Sequence, residues 1–445
     1  MRGRLTLVGT LALAAAGTAA AELAVPRVQD GMLAVSPSGT PFVAYLQGRS
    51  LEIARRRGGA NWRSVRAGHV ERGAHLVAFA AGKRGPVALV RGPRARTLVL
   101  VRRVGTSWKT TPLRRVPPGH ELGWPGLALE RGLPTIAYTR WTRSSKKSVL
   151  ELVRVDGRGR LQRTQITLSG FPRSYYPPSA VPVLVRGAVH VIESYGFDGA
   201  VGTIEWHPNG HGWSGQYIDG GIGDFPVGPM FGAVGRTGTI YAAWSEALLG
   251  TGEQPVTLAV HGRSIDANFL LDRAVTTGLD LTRSGPEVAA NEWVAAAEVG
   301  LPGQSVSWAG IVVVRGEPVE LDGWLAGLAS APRGARDLLL ANSKGLSWFR
   351  VSRRPSVRMS IDAADDFDGS VLVSGRVRGV SSGSVTVYRE RPGSPRERAG
   401  TAPLARDGSF TLLDRPLLRP FVYRAVYTDP VTGVPYSALL RDPIS

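Results

Sequence analysis

Four carboxylates, Glu193, Asp198, Glu205 and Asp224, fall in one stretch that also carries Tyr195, Trp206 and Tyr217. Glycoside hydrolysis uses two carboxyl groups about 5–10 Å apart, beside aromatic surface on which a sugar can lie. The residue types suit that chemistry, but closeness along the chain does not pair side chains in space. A second acidic stretch, Asp362, Asp365, Asp366 and Asp368 with Gly369, keeps part of a calcium-loop spacing. Its first and last ligand positions hold Ala364 and Gly375, so an acidic turn is the plainer account. His207 and His211 stand four apart, a spacing that shares a metal on a helix. Pro208-Asn209-Gly210 between them makes a hairpin tip instead. No metal site and no cofactor is expected. The chain has no G-x-S-x-G, no phosphate-cradling loop and no dinucleotide fingerprint, and no catalytic residue is assigned. Cysteine is absent, which excludes disulfides, thiolate zinc sites and Cys nucleophiles.

Charge is the second chemical signal. The net charge is +19, and residues 49–116 alone hold 17 Lys/Arg against two acids, Glu52 and Glu71. Residues 174–355 hold 12 basic and 17 acidic residues, a net of 12 − 17 = −5. The protein is therefore polarised rather than uniformly basic. Only five of the 54 basic residues are Lys, so a GC-rich coding sequence accounts for many arginines without any ligand. The functional reading is that Arg55, Arg56, Arg57, Arg94, Arg96, Arg102 and Arg103 form a basic sector that attracts an anionic polymer. The expected partners are an anionic polysaccharide, a cell-wall polymer or a protein. No motif for sequence-specific nucleic-acid binding accompanies the charge.

The elements that carry these residues repeat. A Gly turn, a Pro or small residue and an apolar strand recur at Gly39-Thr40-Pro41-Phe42-Val43-Ala44-Tyr45, Gly85-Pro86-Val87-Ala88-Leu89 and Gly132-Leu133-Pro134-Thr135-Ile136-Ala137-Tyr138. Looser copies start at Gly187 and Gly238, and Asn291 to Glu298 is a candidate sixth. The first five turn glycines are 46, 47, 55 and 51 residues apart, a spacing typical of propellers and arrays. Each copy continues with an alternating strand such as Leu51-Glu52-Ile53-Ala54-Arg55, then often a strand opened by Trp62, Trp108 or Trp213. With the short apolar strand before each Gly turn, that makes four strands per unit, one propeller blade. The three Trp suit inter-blade core better than ligand platforms. About six blades follow, near 31–73, 74–123, 124–178, 179–227, 228–284 and 285–355; two packed β-domains are the alternative. The ends of the second strands align Gln47, Arg91, Arg140, Glu193, Glu246 and Glu298 on one face, a mixed-charge candidate binding rim. Ordinary solvated loop ends would look the same.

From Ser356 the pattern changes to short strands between Gly, Pro and Asp turns. About seven strands in 356–445 suit an immunoglobulin-like or fibronectin-III-like β-sandwich. At the other end, Arg2 and Arg4, the apolar run Leu5 to Ala16 and Ala19-Ala20-Ala21 read as a signal peptide cut after Ala21. No later apolar run is long enough to span a membrane. The expected organisation is therefore 1–21 leader, 22–355 propeller and 356–445 sandwich, in a secreted all-β protein that is either released or held at the cell wall.

The Gly-x-Pro-apolar-Ala-Tyr repeat followed by an alternating strand and a Gly/Asn-Trp strand resembles the propellers of secreted actinobacterial proteins of the sialidase-like, BNR-repeat type, over residues 31–290. Asp407-Gly408-Ser409-Phe410 and Phe421-Val422-Tyr423-Arg424-Ala425 look like the sandwich modules appended to such proteins. The resemblance implies fold. Asp boxes of the form S-x-D-x-G-x-x-W are absent, so sialidase activity does not come with it. The leading expectation is a non-enzymatic binding or scaffold protein. The alternative is a carbohydrate-active enzyme using propeller carboxylates such as Glu193 or Glu246.

Overall fold

The computed structural model describes residues 22–26, 31–57, 61–167, 174–197, 200–221, 225–234, 238–247, 256–260, 263–265, 274–281, 292–298, 309–314, 317–322, 324–330, 335–342, 345–351, 357–365, 369–391, 396–416, 421–430 and 433–440. Residues 1–21, the expected leader, lie outside them. Among the described residues no helix is long and apolar enough to cross a membrane.

The protein is a β-propeller followed by a two-sheet tail. The propeller is built of antiparallel four-stranded units; those of blades 3 and 4 are joined by a parallel pairing at Trp124↔Ser179, and that of blade 6 continues into four strands of the tail. Blade 1 is Met32–Val35, Pro41–Gln47, Ser50–Arg57 and Asn61–His69. Blade 2 is His75–Gly82, Gly85–Arg91, Thr97–Val104 and Ser107–Arg115. Blade 3 runs from Trp124–Glu130 to Leu161–Gln165, and blade 4 from Ser179–Val185 to Trp213–Gly221. Blade 5 runs from Phe225–Val234 to Arg263–Ile265, and blade 6 from Ala274–Leu281 to Glu317–Asp322.

A seventh sheet joins the two ends of the propeller. Trp324–Ser330, Arg336–Asn342 and Gly345–Val351 are completed by Glu22–Pro26, in register Glu22↔Trp348 and Pro26↔Gly345. The first strand of each sheet touches that of the next, and the circuit closes where Trp324–Ser330 meets Met32–Val35. The sequence spacing supports about six units. The interval 285–355 holds parts of two sheets. The seventh escapes the repeat because its fourth strand comes from the far end of the chain.

Local chemistry explains the blades. All five repeat glycines, Gly39, Gly85, Gly132, Gly187 and Gly238, have φ between 77° and 107°, where a side chain is strained. The second strands are covered on both faces by neighbouring blades: Val43, Ala44, Ala88, Leu89, Ile136 and Ala137 are fully buried. Each such Leu, Ile or Val contributes about 1.5–3 kcal/mol on burial. Trp62, Trp108 and Trp213 pack into three different inter-blade clusters.

In the tail, a three-stranded sheet (Arg358–Asp365, Val371–Arg378, Ser409–Asp414) is accompanied by a four-stranded one (Glu397–Pro403, Ser384–Glu390, Val422–Thr428, Pro435–Leu439). Val373, Val387, Phe410 and Tyr423 of the tail share one core with Leu321, Leu338 and Phe349 of the last two blades. Leu321 pairs with Tyr436, and the Arg396 guanidinium lies 2.7 Å from both Asp322 and Glu390. The tail is thus fused to the rim of the ring through apolar and ionic contacts.

Candidate functional site

The expected rim does not form a solvated ring. All six residues lie on second strands: Gln47, Arg91 and Glu298 end theirs, Glu246 and Arg140 come one and two residues before the end, and Glu193 is mid-strand in Ala188–Phe197. Of the four whose side chains are described, only Gln47 is exposed. Arg91 stacks 3.8 Å from the Trp124 ring and donates to Leu122 O at 3.2 Å and Gly123 O at 3.4 Å. Burial lowers its pKa to about 10, with Glu121 opposing. Arg91 therefore braces blade 2 against blade 3. Arg140 Nε donates to Glu151 Oε1 at 2.5 Å. Glu246 lies opposite Pro226 and Glu298 opposite Ala274 in the backbone ladder. The reason is the position of the second strand, which inter-blade packing covers almost to its end.

Of the four blade 4 carboxylates, the two described ones do not share a face. Glu193 lies opposite Ile204, so Glu205, one residue on, points to the other face of the sheet. Glu193 is 0 % exposed. Trp206 Nε1 donates to its Oε2 at 3.0 Å, and its Oε1 has no hydrogen-bond partner. Burial pushes its pKa up to about 8 against the pull of the Trp206 bond. Glu205 instead meets His190 Nδ1 at 2.6 Å. Two carboxyl groups on opposite faces do not flank one glycosidic bond. Asp198 and Asp224 lie outside the described residues.

A constellation not read from sequence sits in blade 3. The Tyr138 hydroxyl donates to Glu151 Oε2, and Arg140 and Arg114 flank that carboxylate, the latter at 3.8 Å. Tyr138 is fully buried, and burial and the Glu151 bond push its pKa up. A sealed phenol held neutral is a structural hydrogen-bond donor rather than a nucleophile. The signal available was the antiparallel pairing of the two strands, which sets Tyr138 opposite Glu151.

The weaker metal readings find no support in position. Asn209 N donates to Gly212 O, a turn that leaves His211 exposed, and Asp362 is exposed on a strand. Asp366 and Asp368 lie outside the described residues. Among the described residues no group of three or more His, Asp or Glu gathers to hold a metal.

Part of the basic sector lines a cavity. In Ser50–Arg57, alternation turns Ile53, Arg55 and Arg57 toward blade 2. The facing strand sets Arg63 opposite Arg55 and Val65 opposite Ile53. Blade 2 contributes Arg103 and, opposite it, Trp108. These residues enclose a cavity of ≈270 Å³ between the two blades, with Phe42, Ile53 and Trp108 as its apolar floor. The Arg55 guanidinium lies 5.8 Å from the Phe42 ring, and Arg103 Nε donates to Gly105 O at 3.0 Å. No carboxylate lines this cavity. Among the described residues none forms an ion pair with Arg55, Arg57, Arg63 or Arg103.

Arg56 is not part of that cavity. Its guanidinium stacks 4.7 Å from the Trp348 ring of blade 7, with Arg350 5.3 Å from the same ring. Arg102, likewise buried, turns away from Arg103 toward Gly159 of blade 3. The run Arg55-Arg56-Arg57 is thus divided by strand alternation between two joints. Arg94 and Arg96 belong to the short turn after Gly92.

A second cavity, ≈440 Å³, opens at the other end of the same two outer strands. Arg49, His69 and Arg72 line it together with one acid, Glu71, which accepts from Thr97 Oγ1 at 3.5 Å.

No protein-family model matches this chain, and no curated protein matches it. Solved structures similar to it include the soluble aldose sugar dehydrogenase of Escherichia coli, 12 % identical, TM-score 0.39, with 63 % of this chain and 99 % of that one covered. The Dos1 propeller is 8 % identical, TM-score 0.40, covering 89 % and 94 %. The α-L-arabinofuranosidase Arb93A of Fusarium graminearum is 12 % identical, TM-score 0.38, covering 75 % and 96 %. Likenesses this distant carry no activity, ligand or site residue across to this chain.

Proposed function

We propose that the protein is a secreted, non-enzymatic binding protein that holds an anionic glycan of the cell surface at the joint between blades 1 and 2. The observation that carries this reading is the cavity lined by Arg55, Arg57, Arg63 and Arg103 with no carboxylate among its lining residues. Four guanidinium groups that meet no acid are a standing positive potential, and the arginine fork matches carboxylate and phosphate oxygens in pairs. The apolar floor offers a place for the carbon face of a sugar ring. For the alternative, a carbohydrate-active enzyme, Glu193 and Glu205 do not serve as the two carboxylates together, since they lie on opposite faces of the sheet.

The test is binding of the mature chain to purified cell wall and to soluble polygalacturonate across a salt series. Binding that weakens steeply with salt is expected, because the contacts are exposed and screened within about 10 Å at 0.1 M. Absence of binding at low salt overturns the reading.

A further inference from the structure

The two cavities lie on one seam. Both are bounded by the outer strands Asn61–His69 and Ser107–Arg115, which run side by side from one end of the joint to the other. Arg63, Val65 and Trp108 belong to the lower cavity; His69, Thr110 and Pro112 belong to the upper. Between them the blades touch at Gly68. A Cβ there would stand 3.0 Å from Thr110 Oγ1 and 3.4 Å from Val101 Cγ1. The glycine lets the two blades close without a side chain rising between the cavities, so the division is a low saddle.

Resting on the function proposed above, we infer that the seam is one extended site for a linear polyanionic glycan, which enters both cavities and crosses the saddle at Gly68. Geometry sets its minimum length. Arg63 and His69 are six positions apart on one strand, about 20 Å at 3.3 Å per residue. A single sugar fills one cavity; only a chain reaches both. Charge sets its sign at each end. The lower cavity holds four arginines, and the upper holds Arg49 and Arg72 against Glu71. The walls set its chemistry. Val65, 40 % exposed, lines the lower cavity, and the exposed Thr110 and Pro112 line the upper. These surfaces suit sugar carbons, whereas single-stranded nucleic acid needs a series of aromatic platforms for its bases, and the rings of Phe42 and Trp108 line the lower cavity alone. Two weak contacts joined by one chain act together, so affinity rises with chain length once both are reached.

The experiment is a length series of oligogalacturonates, from the dimer to the dodecamer, titrated into the full mature chain at low salt. Affinity is expected to step up by at least tenfold between chains that fit one cavity and chains that span about 20 Å. Arg72→Glu, or Arg49→Glu if that variant fails to fold, is expected to abolish the step while leaving dimer binding unchanged. Arg57→Glu is expected to weaken both dimer and dodecamer. Binding that is independent of length, and lost on Arg57→Glu alone, overturns the extended site and leaves the proposed function standing. No binding at any length overturns both. Equal or tighter binding of a single-stranded DNA of matched charge overturns the glycan assignment.

Discussion

Two neighbouring joints of the ring use arginine in opposite ways. Where blade 7 meets blade 1, Arg350 lies 2.7 Å and 2.8 Å from the two Asp337 oxygens, donates to Gly39 O at 3.0 Å and shares the Trp348 ring with Arg56. Every guanidinium there has an acid, a carbonyl or a ring. Where blade 1 meets blade 2, four arginines surround an open cavity and meet no acid. The sequence run Arg55-Arg56-Arg57 supplies both joints, one residue to the first and two to the second. Charge count therefore says little. The face on which strand alternation places each arginine decides whether it holds the ring together or lines an open cavity. The joint between blades 3 and 4 shows a third solution: Glu193, with a single hydrogen bond and no cation, is held uncharged by burial.

The comparison can be broken at the paired joint first. Arg350→Ala takes from the fully buried Asp337 the guanidinium that donates to both its oxygens and is expected to cost about 3 kcal/mol of stability, read from urea unfolding. Binding of polygalacturonate by the folded fraction is expected to stay unchanged; a selective loss of binding would erase the distinction between the joints. At Glu193 the effect depends on pH. The folded pKa of about 8 lies above the ordinary carboxylate value of 4.5. Between those values the folded chain keeps a proton that the unfolded chain has released. Stability contributed by Glu193 is therefore full below about 4.5 and falls as pH rises toward 8, by about 1.4 kcal/mol for each unit crossed. Glu193→Gln is expected to flatten that decline between pH 5 and pH 8, and identical pH profiles for the two proteins would show that the carboxyl is not held neutral.

The open joint gives the next smaller effect. Arg57→Glu with Arg103→Glu is expected to weaken polygalacturonate binding at least tenfold at low salt, about 1.4 kcal/mol, with unchanged thermal stability. A drop in stability equal to the loss of affinity would mean that these arginines pack the ring after all. The smallest effect belongs to Arg56→Ala. Losing one cation–π contact is expected to cost about 0.5–1 kcal/mol of stability and to leave binding untouched, as measured by the same two assays.

What was legible in the sequence was local. The five turn glycines announce their positive φ, and the spacing between them announces a repeat. Trp62, Trp108 and Trp213 read as inter-blade core because a large ring at the start of an outer strand has a neighbouring sheet to pack on. The segment 49–116 announces a basic sector, and the cavities lie there. What was not legible depends on partners far along the chain. Nothing near Arg56 points to Trp348. Nothing near Glu193 says that it is sealed while Glu205 faces the other way, although the pairing with Ile204 settles it once the hairpin register is known. The seventh sheet was hidden for the same reason, since one of its strands lies at the opposite end of the sequence.

The closing strand Glu22–Pro26 also sets the order of assembly. Its partner Gly345–Val351 lies about 320 residues later, so closure carries the entropy of a very long loop and comes after the other blades have formed. At about 5–20 residues per second of synthesis, the first strand waits roughly 15–60 s for its mate. During that interval it presents an unpaired edge, and a second nascent chain offers the same waiting partner. Exchange of this strand between two copies is the misassembly that a ring closed by so early a strand must outrun.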